Sequence, residues 1–179
     1  VYGMGDKVIH EVAKALRNGF NMKLLRGLRQ VGFMADREYV EKLYNGKTIV
    51  LNSFEQCVED KNKFGKNFCE IEVLSNMMKC ETTLVEPVDD RYVVITPPYE
   101  RLTTEELDHS FDLPYTRLPH PKYNGKRIPA FDMIKFSVNM HRGCFGGCSF
   151  CTIAAHQGKQ ITSRSEQSIL KQIDKLKEL

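Results

Sequence analysis

No apolar run in this chain approaches the ~20 residues that a membrane-crossing helix needs, so no helical anchor is expected within it. A surplus of charge is also missing. The formal net charge is only +3, and the basic residues are scattered rather than massed, so neither nucleic acid nor an anionic lipid surface is indicated as a partner. No secretory-type segment opens the sequence. Six cysteines without such a segment point to a reducing, cytoplasmic setting. An initiator methionine and a helix stop signal are missing too: Val1-Tyr2 reads as the end of a strand, and Ile173 to Leu179 as a helix still running. The expectation is an internal fragment of a longer protein.

What remains is ordinary globular material. A hydrophobic share of 41% and a charged share of 27% over 179 residues suffice for one domain or pieces of two. Val1-Tyr2-Gly3-Met4-Gly5 reads as a strand end leading through glycines into a helix whose apolar face is Val8, Ile9, Val12, Ala15 and Leu16. Asp6 is the expected cap and Asn18-Gly19 the expected stop. A glycine turn before a helix also suits a phosphate, but Gly3-x-Gly5 is read first as a tight turn without ligand. Tyr39 to Tyr44 and Thr48 to Leu51 read as short strands around Asn45-Gly46, with Arg26 and Arg29 on a solvated face.

Ser53 to Lys79 carries a helical period in Phe54, Cys57, Val58, Phe64, Phe68, Ile71, Leu74 and Met78, with Ser53 as cap and Gly65 as the expected weak point. Cys57, Cys69 and Cys80 are out of phase on such a helix and read as semi-buried thiols. Thr83–Glu86 and Arg91–Ile95 read as a hairpin about Asp89-Asp90. Residues 97–130 hold six of the seven prolines, which makes them a mostly extended connector with one short helix capped by Thr103-x-x-Glu106. His109 and His120 in it read as surface hydrogen-bonders. Asp132 to Met140 alternates apolar and polar residues as a strand does. A last helix starts near Ser163 or Ser165, with Glu166 in capping-box position, and presents Ile169, Leu170, Ile173 and Leu176 as its buried stripe.

Between that strand and that helix lies His141-Arg142-Gly143-Cys144-Phe145-Gly146-Gly147-Cys148-Ser149-Phe150-Cys151. Its thiols are spaced C-x3-C-x2-C, and its three glycines let backbone approach a bulky inorganic core. Thiolates are the usual ligands of iron–sulfur clusters, and a [4Fe–4S] cube normally takes four. Three ligands would leave one iron open. Two other readings stay in view: a zinc-stabilised binding module of Cys144, Cys148, Cys151 and His156, and an electron carrier whose fourth ligand lies elsewhere.

The motif, with an aromatic residue just before its third cysteine, resembles the signature of the radical S-adenosylmethionine (radical SAM) enzymes. The wider context is similar to their YgiQ-type subfamily: Phe136 to Cys144, Thr162-Ser163-Arg164-Ser165, Tyr2-Gly3-Met4-Gly5, and Leu113-Pro114-Tyr115 with His120-Pro121 and Tyr123. The resemblance implies a [4Fe–4S] cluster held by Cys144, Cys148 and Cys151, with S-adenosyl-L-methionine on the open iron and Phe150 near its adenine. It implies reductive cleavage to a 5′-deoxyadenosyl radical acting on an unnamed substrate, with an electron donor of flavodoxin or ferredoxin type. Arg142 and the amides of Gly143, Gly146 and Gly147 would tune the cluster, with His141, His156 and Lys159 in supporting places.

The fold implied is α/β. Residues 1–96 would close an N-terminal nucleotide-binding-like α/β domain, 97–130 the Pro-rich connector, and 131–179 the first βα unit of a partial (β/α) barrel whose sites lie at strand ends. At ~30 residues or more per βαβ unit, only one step fits, and the isolated fragment is expected to be catalytically silent.

Overall fold

The computed structural model describes residues 1–19, 22–43 and 47–177. They divide into two compact units, one of residues 1–101 with 143–161 and the other of 102–142 with 162–179. Neither unit is a continuous piece of chain.

The first unit begins with α1 (Val8–Arg17), which ends at Asn18 with Gly19 at φ +73°, the left-handed conformation that glycine adopts without strain. Asp6 is not its cap. The helix opens at Lys7, which makes no side-chain capping bond, and of the expected apolar face only Val8 is buried. Strand β1 (Gly32–Ala35) follows, then α2 (Arg37–Leu43), β2 (Thr48–Val50), α3 (Phe54–Glu59), α4 (Lys61–Ser75), β3 (Thr83–Val88) and β4 (Arg91–Ile95). The strand expected over Tyr39–Tyr44 is a helix through Leu43. Asp36 starts it by accepting the Tyr39 amide at 2.8 Å, so local capping overrides β-propensity. Asn45-Gly46 lies outside the described residues.

The four strands form one mixed sheet in the order β1-β4-β3-β2, antiparallel except for the parallel pair β2 and β3. The expected hairpin is β3–β4, turned by Asp89 at φ +52°. Pro87 sits in β3 where β2, paired only as far as Val85, no longer needs a donor. Strand alternation then supplies two faces. Val85 and Val94, paired across the hairpin and fully buried, pack with Ala35 and Val40 on one side. Leu84 packs with Leu51, Leu74 and Cys80 on the other, with Ile95 beside it. Each fully buried valine contributes roughly 1.5–3 kcal/mol of apolar transfer.

The long helix expected from Ser53 to Lys79 is two helices. Ser53 does cap the first, in a reciprocal box with Gln56. The break falls at Asp60, not at Gly65. Extended at φ −132°, Asp60 donates its amide to the Gln56 carbonyl to close α3 and accepts the Asn62 amide to open α4. Most of the expected periodic stripe is not core either: Phe54, Val58, Phe64, Phe68 and Ile71 are exposed. α4 is turned by Asn67 instead, whose amide bonds the Asn52 amide and carbonyl at 2.9 Å each, and by Leu74 one heptad later. A buried amide keeps its partners, and that requirement fixes which face turns inward. Arg26 and Arg29 are likewise not simply solvated. Arg26 lies over the Phe33 and Tyr39 rings and donates to the Met34 carbonyl, while Arg29 pairs with Glu81 and donates to the Cys80 and Pro98 carbonyls.

The second unit holds α5 (Thr104–Asp112), α6 (Pro129–Ile134), β5 (His141–Arg142), β6 (Thr162–Ser163) and α8 (Glu166–Lys177), while α7 (Ile153–Gln157) belongs to the first. Thr103 and Glu106 form the expected capping box, and His120 accepts the Lys122 amide at a short helical turn. The strand expected over Asp132–Met140 is absent. Pro129 stands at the first turn of α6, and Asp132, inside that helix, accepts from Arg127. Only His141-Arg142 is strand, and β5 pairs antiparallel with β6. An alternating segment without a long neighbour has nothing to hydrogen-bond to. In α8 the buried positions are Ser168 and Gln172, and the expected stripe residues Leu170 and Ile173 face water. Their place is taken by Arg164, which is buried, lies over Phe111 at 4.4 Å, and donates to Ser168, Gln172 and the Asn139 carbonyl.

Candidate functional site

The cysteine segment runs from Gly143 to Ile161 and is closed at its base by glycine geometry. Gly143 is at φ +92°, and a Cβ there would stand 2.0 Å from the Gln160 carbonyl oxygen, so no other residue fits without moving backbone. The Cys144 amide donates to the Gly158 carbonyl at 3.0 Å, and the Gly143 amide donates to Gln157 Oε1 at 3.2 Å. The short helix α7 lies between these contacts. Within the loop, Gly147 is at φ +58°, and the Cys151 amide donates to the Cys148 carbonyl at 3.1 Å.

This path brings two of the three sulfurs round one bare α-carbon. A Cβ on Gly146 would be 3.4 Å from the Cys144 sulfur and 3.7 Å from the Cys148 sulfur. The missing side chain therefore leaves a hollow faced by two thiols. Cys151 lies one turn further on. Among the described residues, no three His, Cys, Asp or Glu side chains converge tightly enough to hold a metal ion, so neither the cysteine triad nor the Cys3His set with His156 is drawn together. The donors suit iron nonetheless: three thiols, none in a disulfide, one exposed and two half-buried, with Cys144 and Cys148 beside a space that a Cβ would fill. In donor type and in that hollow, the residues fit a thiolate-bound cluster.

The other residues singled out by sequence are dispersed. Phe150 is 89% exposed, its ring in solvent. His141 and Arg142 form β5 of the second unit, where the Arg142 guanidinium lies 4.9 Å from the Phe111 ring centre. Lys159 pairs with Glu72 on α4. His156 presents its backbone carbonyl to Gly3, where a Cβ would stand 3.1 Å from it. That contact occupies the side of the glycine turn on which a Cβ would lie. Gly3 holds φ +61°, and Gln30 donates to the Tyr2 carbonyl at 2.8 Å. Tyr2 donates to the Thr96 carbonyl at 2.7 Å, and burial pushes its phenol well above the usual range. No spacing rule signals the Glu72 contact, because the partners are far apart in sequence.

Residues 1–137 match the family described as "Radical SAM N-terminal". A UPF0313 protein of Porphyromonas gingivalis is 46% identical over all of this chain and 28% of its own length. One from Bacteroides thetaiotaomicron is 47% identical over all of the chain and 30% of its own length. The UPF0313 protein YgiQ of Escherichia coli is 46% identical over 77% of the chain and 18% of its own. The chain thus spans less than a third of the length of these curated relatives. No solved structure matches it. No helix among the described residues is long and apolar enough to cross a membrane.

Proposed function

This chain belongs to the radical SAM N-terminal family, in its YgiQ-type branch, and from that premise we propose that it carries the cluster-binding segment of a radical S-adenosylmethionine enzyme. The observation that supports this most is the Cys144-x3-Cys148-x2-Cys151 loop, closed by Gly143 and hollowed at Gly146 between two sulfurs. Cys144, Cys148 and Cys151 would be the ligands of a [4Fe–4S] cluster. When bound, that cluster supplies the electron that breaks a sulfonium carbon–sulfur bond of S-adenosylmethionine, giving methionine and a 5′-deoxyadenosyl radical.

The chain's own residues prepare that site. Gly143 and the Cys144 amide fix where the loop leaves the protein, and Gly147 turns it so that Cys148 follows Cys144 around Gly146. The amides of Gly146 and Gly147 would serve as donors to cluster sulfur, and such hydrogen bonds help set a cluster's potential. Phe150, whose ring is exposed to water, would stack on the adenine of the nucleoside. The organisation that goes with this reading is an α/β domain over 1–96, a connector over 97–130 and the start of a partial barrel from 131. An electron donor of flavodoxin or ferredoxin type serves the whole enzyme.

The test uses the full-length protein, reconstituted anaerobically and given S-adenosylmethionine with a strong reductant. 5′-Deoxyadenosine is the expected product, and it disappears in Cys148→Ala. Tight zinc, no colour and no nucleoside release would instead indicate the zinc module.

A further inference from the structure

The cysteine segment is fastened to the body of the first unit as well as to itself. Lys159 Nζ donates to Glu72 Oε2 on α4, and the two side chains are only 21% and 35% exposed. Arg101 donates to the Ile161 carbonyl at 3.2 Å. The His156 carbonyl packs against Gly3. The lysine is the tie nearest in sequence to a residue bonded to a ligand. It directly follows Gly158, whose carbonyl receives the Cys144 amide. A short physical path therefore runs from α4 through Lys159 and the Gly158 peptide to the first cysteine.

An ion pair between freely solvated side chains contributes little to holding a segment in place. This one is partly withdrawn from water, and removal of one partner leaves the other charge part-buried and unpaired. Lysine is a point charge on a flexible stem, so an exchange of signs between positions 72 and 159 preserves what the contact needs.

We infer that Lys159 and Glu72 are positioning residues: their ion pair docks the cysteine segment on α4 and sets the place of Cys144. Residues 1–101 are then part of the scaffold of the cluster site rather than a neighbour of it. The docking stands on the ion pair alone, and its consequence for iron rests on the cluster reading above.

Two measurements on the full-length protein separate these claims. Amide hydrogen exchange over residues 143–161, made without iron, reads the docking. Lys159→Met and Glu72→Gln are each expected to speed exchange of the Cys144 amide about tenfold, and the exchanged pair Lys159→Glu with Glu72→Lys to return most of the protection. Iron loss to a chelator, after anaerobic reconstitution, reads the consequence, with faster release in both single variants and recovery in the exchanged pair. Unchanged exchange in Lys159→Met, or an exchanged pair no better protected than the single variants, overturns the docking. Faster exchange with unchanged iron release overturns its role in the cluster site. A wild-type protein that takes up no iron contradicts the cluster reading, and exchange alone then decides the ion pair.

Discussion

Gly143 and Gln160 meet backbone to backbone: a Cβ added to Gly143 would lie 2.0 Å from the Gln160 carbonyl oxygen. The contact joins the residue before the first cysteine to the exit of the loop, and it exists only because position 143 carries no side chain.

Gly143→Ala is therefore expected to open the base of the loop. The left-handed φ alone costs an alanine roughly 1–3 kcal/mol, and the backbone clash adds to it. Amide exchange of Cys144 is the sensitive measurement, since its bond to the Gly158 carbonyl closes the same base. A variant with wild-type protection at Cys144 contradicts this account.

Gly146→Ala should behave differently. Position 146 is not in the left-handed region, and its added methyl would make only ordinary contacts with the Cys144 and Cys148 sulfurs. Thermal stability should stay within about 0.5 kcal/mol of wild type, the usual range for a surface change. Bound iron should nevertheless fall, because the methyl takes up the hollow between two ligands. Equal iron content in the two proteins would count against a cluster placed there.

Arg164→Met removes five side-chain hydrogen bonds at a buried site, among them those to Ser168, Gln172 and the Asn139 carbonyl. Partners left buried without a donor cost about 1–3 kcal/mol each, so a loss of roughly 3 kcal/mol or more is expected. Denaturant unfolding of the full-length protein measures it, with Leu170→Gln on the exposed side of α8 as the near-neutral control.

Asp112 gives that unit a pH dependence of known sign. The hydrogen bond from Lys171 holds its carboxyl below the usual range, with Ser168 assisting and burial opposing. A depressed carboxylate adds stability that is fully present above its unfolded pKa of ~3.9 and is lost as the pH falls through the folded value. Asp112→Asn should therefore be less stable than wild type at pH 7, and the gap should close in acid. A gap that persists at low pH would show that the charge is not the cause.

Short-range chemistry was readable from sequence, and long-range pairing was not. Thr103 with Glu106, Ser53 as a cap, Asn18-Gly19 and the Asp89 turn each depend on neighbours within a few residues, and each stands where the sequence places it. The misread elements depend on partners that periodicity cannot show. Tyr39 and Val40 have strand-like side chains, but Asp36 caps them into a helix. Phe64 and Phe68 fit a buried helical stripe, yet Asn67 bonds to Asn52 and turns the helix elsewhere. Leu170 and Ile173 lose the buried face of α8 to Ser168 and Gln172 because Arg164 requires acceptors. In the loop, the cysteine spacing and its glycines could be read directly, whereas the tie from Lys159 to Glu72 had no local signal.

The most direct measurement is the iron-to-protein ratio of the full-length protein after anaerobic reconstitution with iron and sulfide, compared among wild type, Cys144→Ala, Cys148→Ala and Cys151→Ala. The account predicts a brown wild type near four irons per chain, as a [4Fe–4S] cluster requires, and severe loss in each variant. Iron content unchanged by all three substitutions would contradict it.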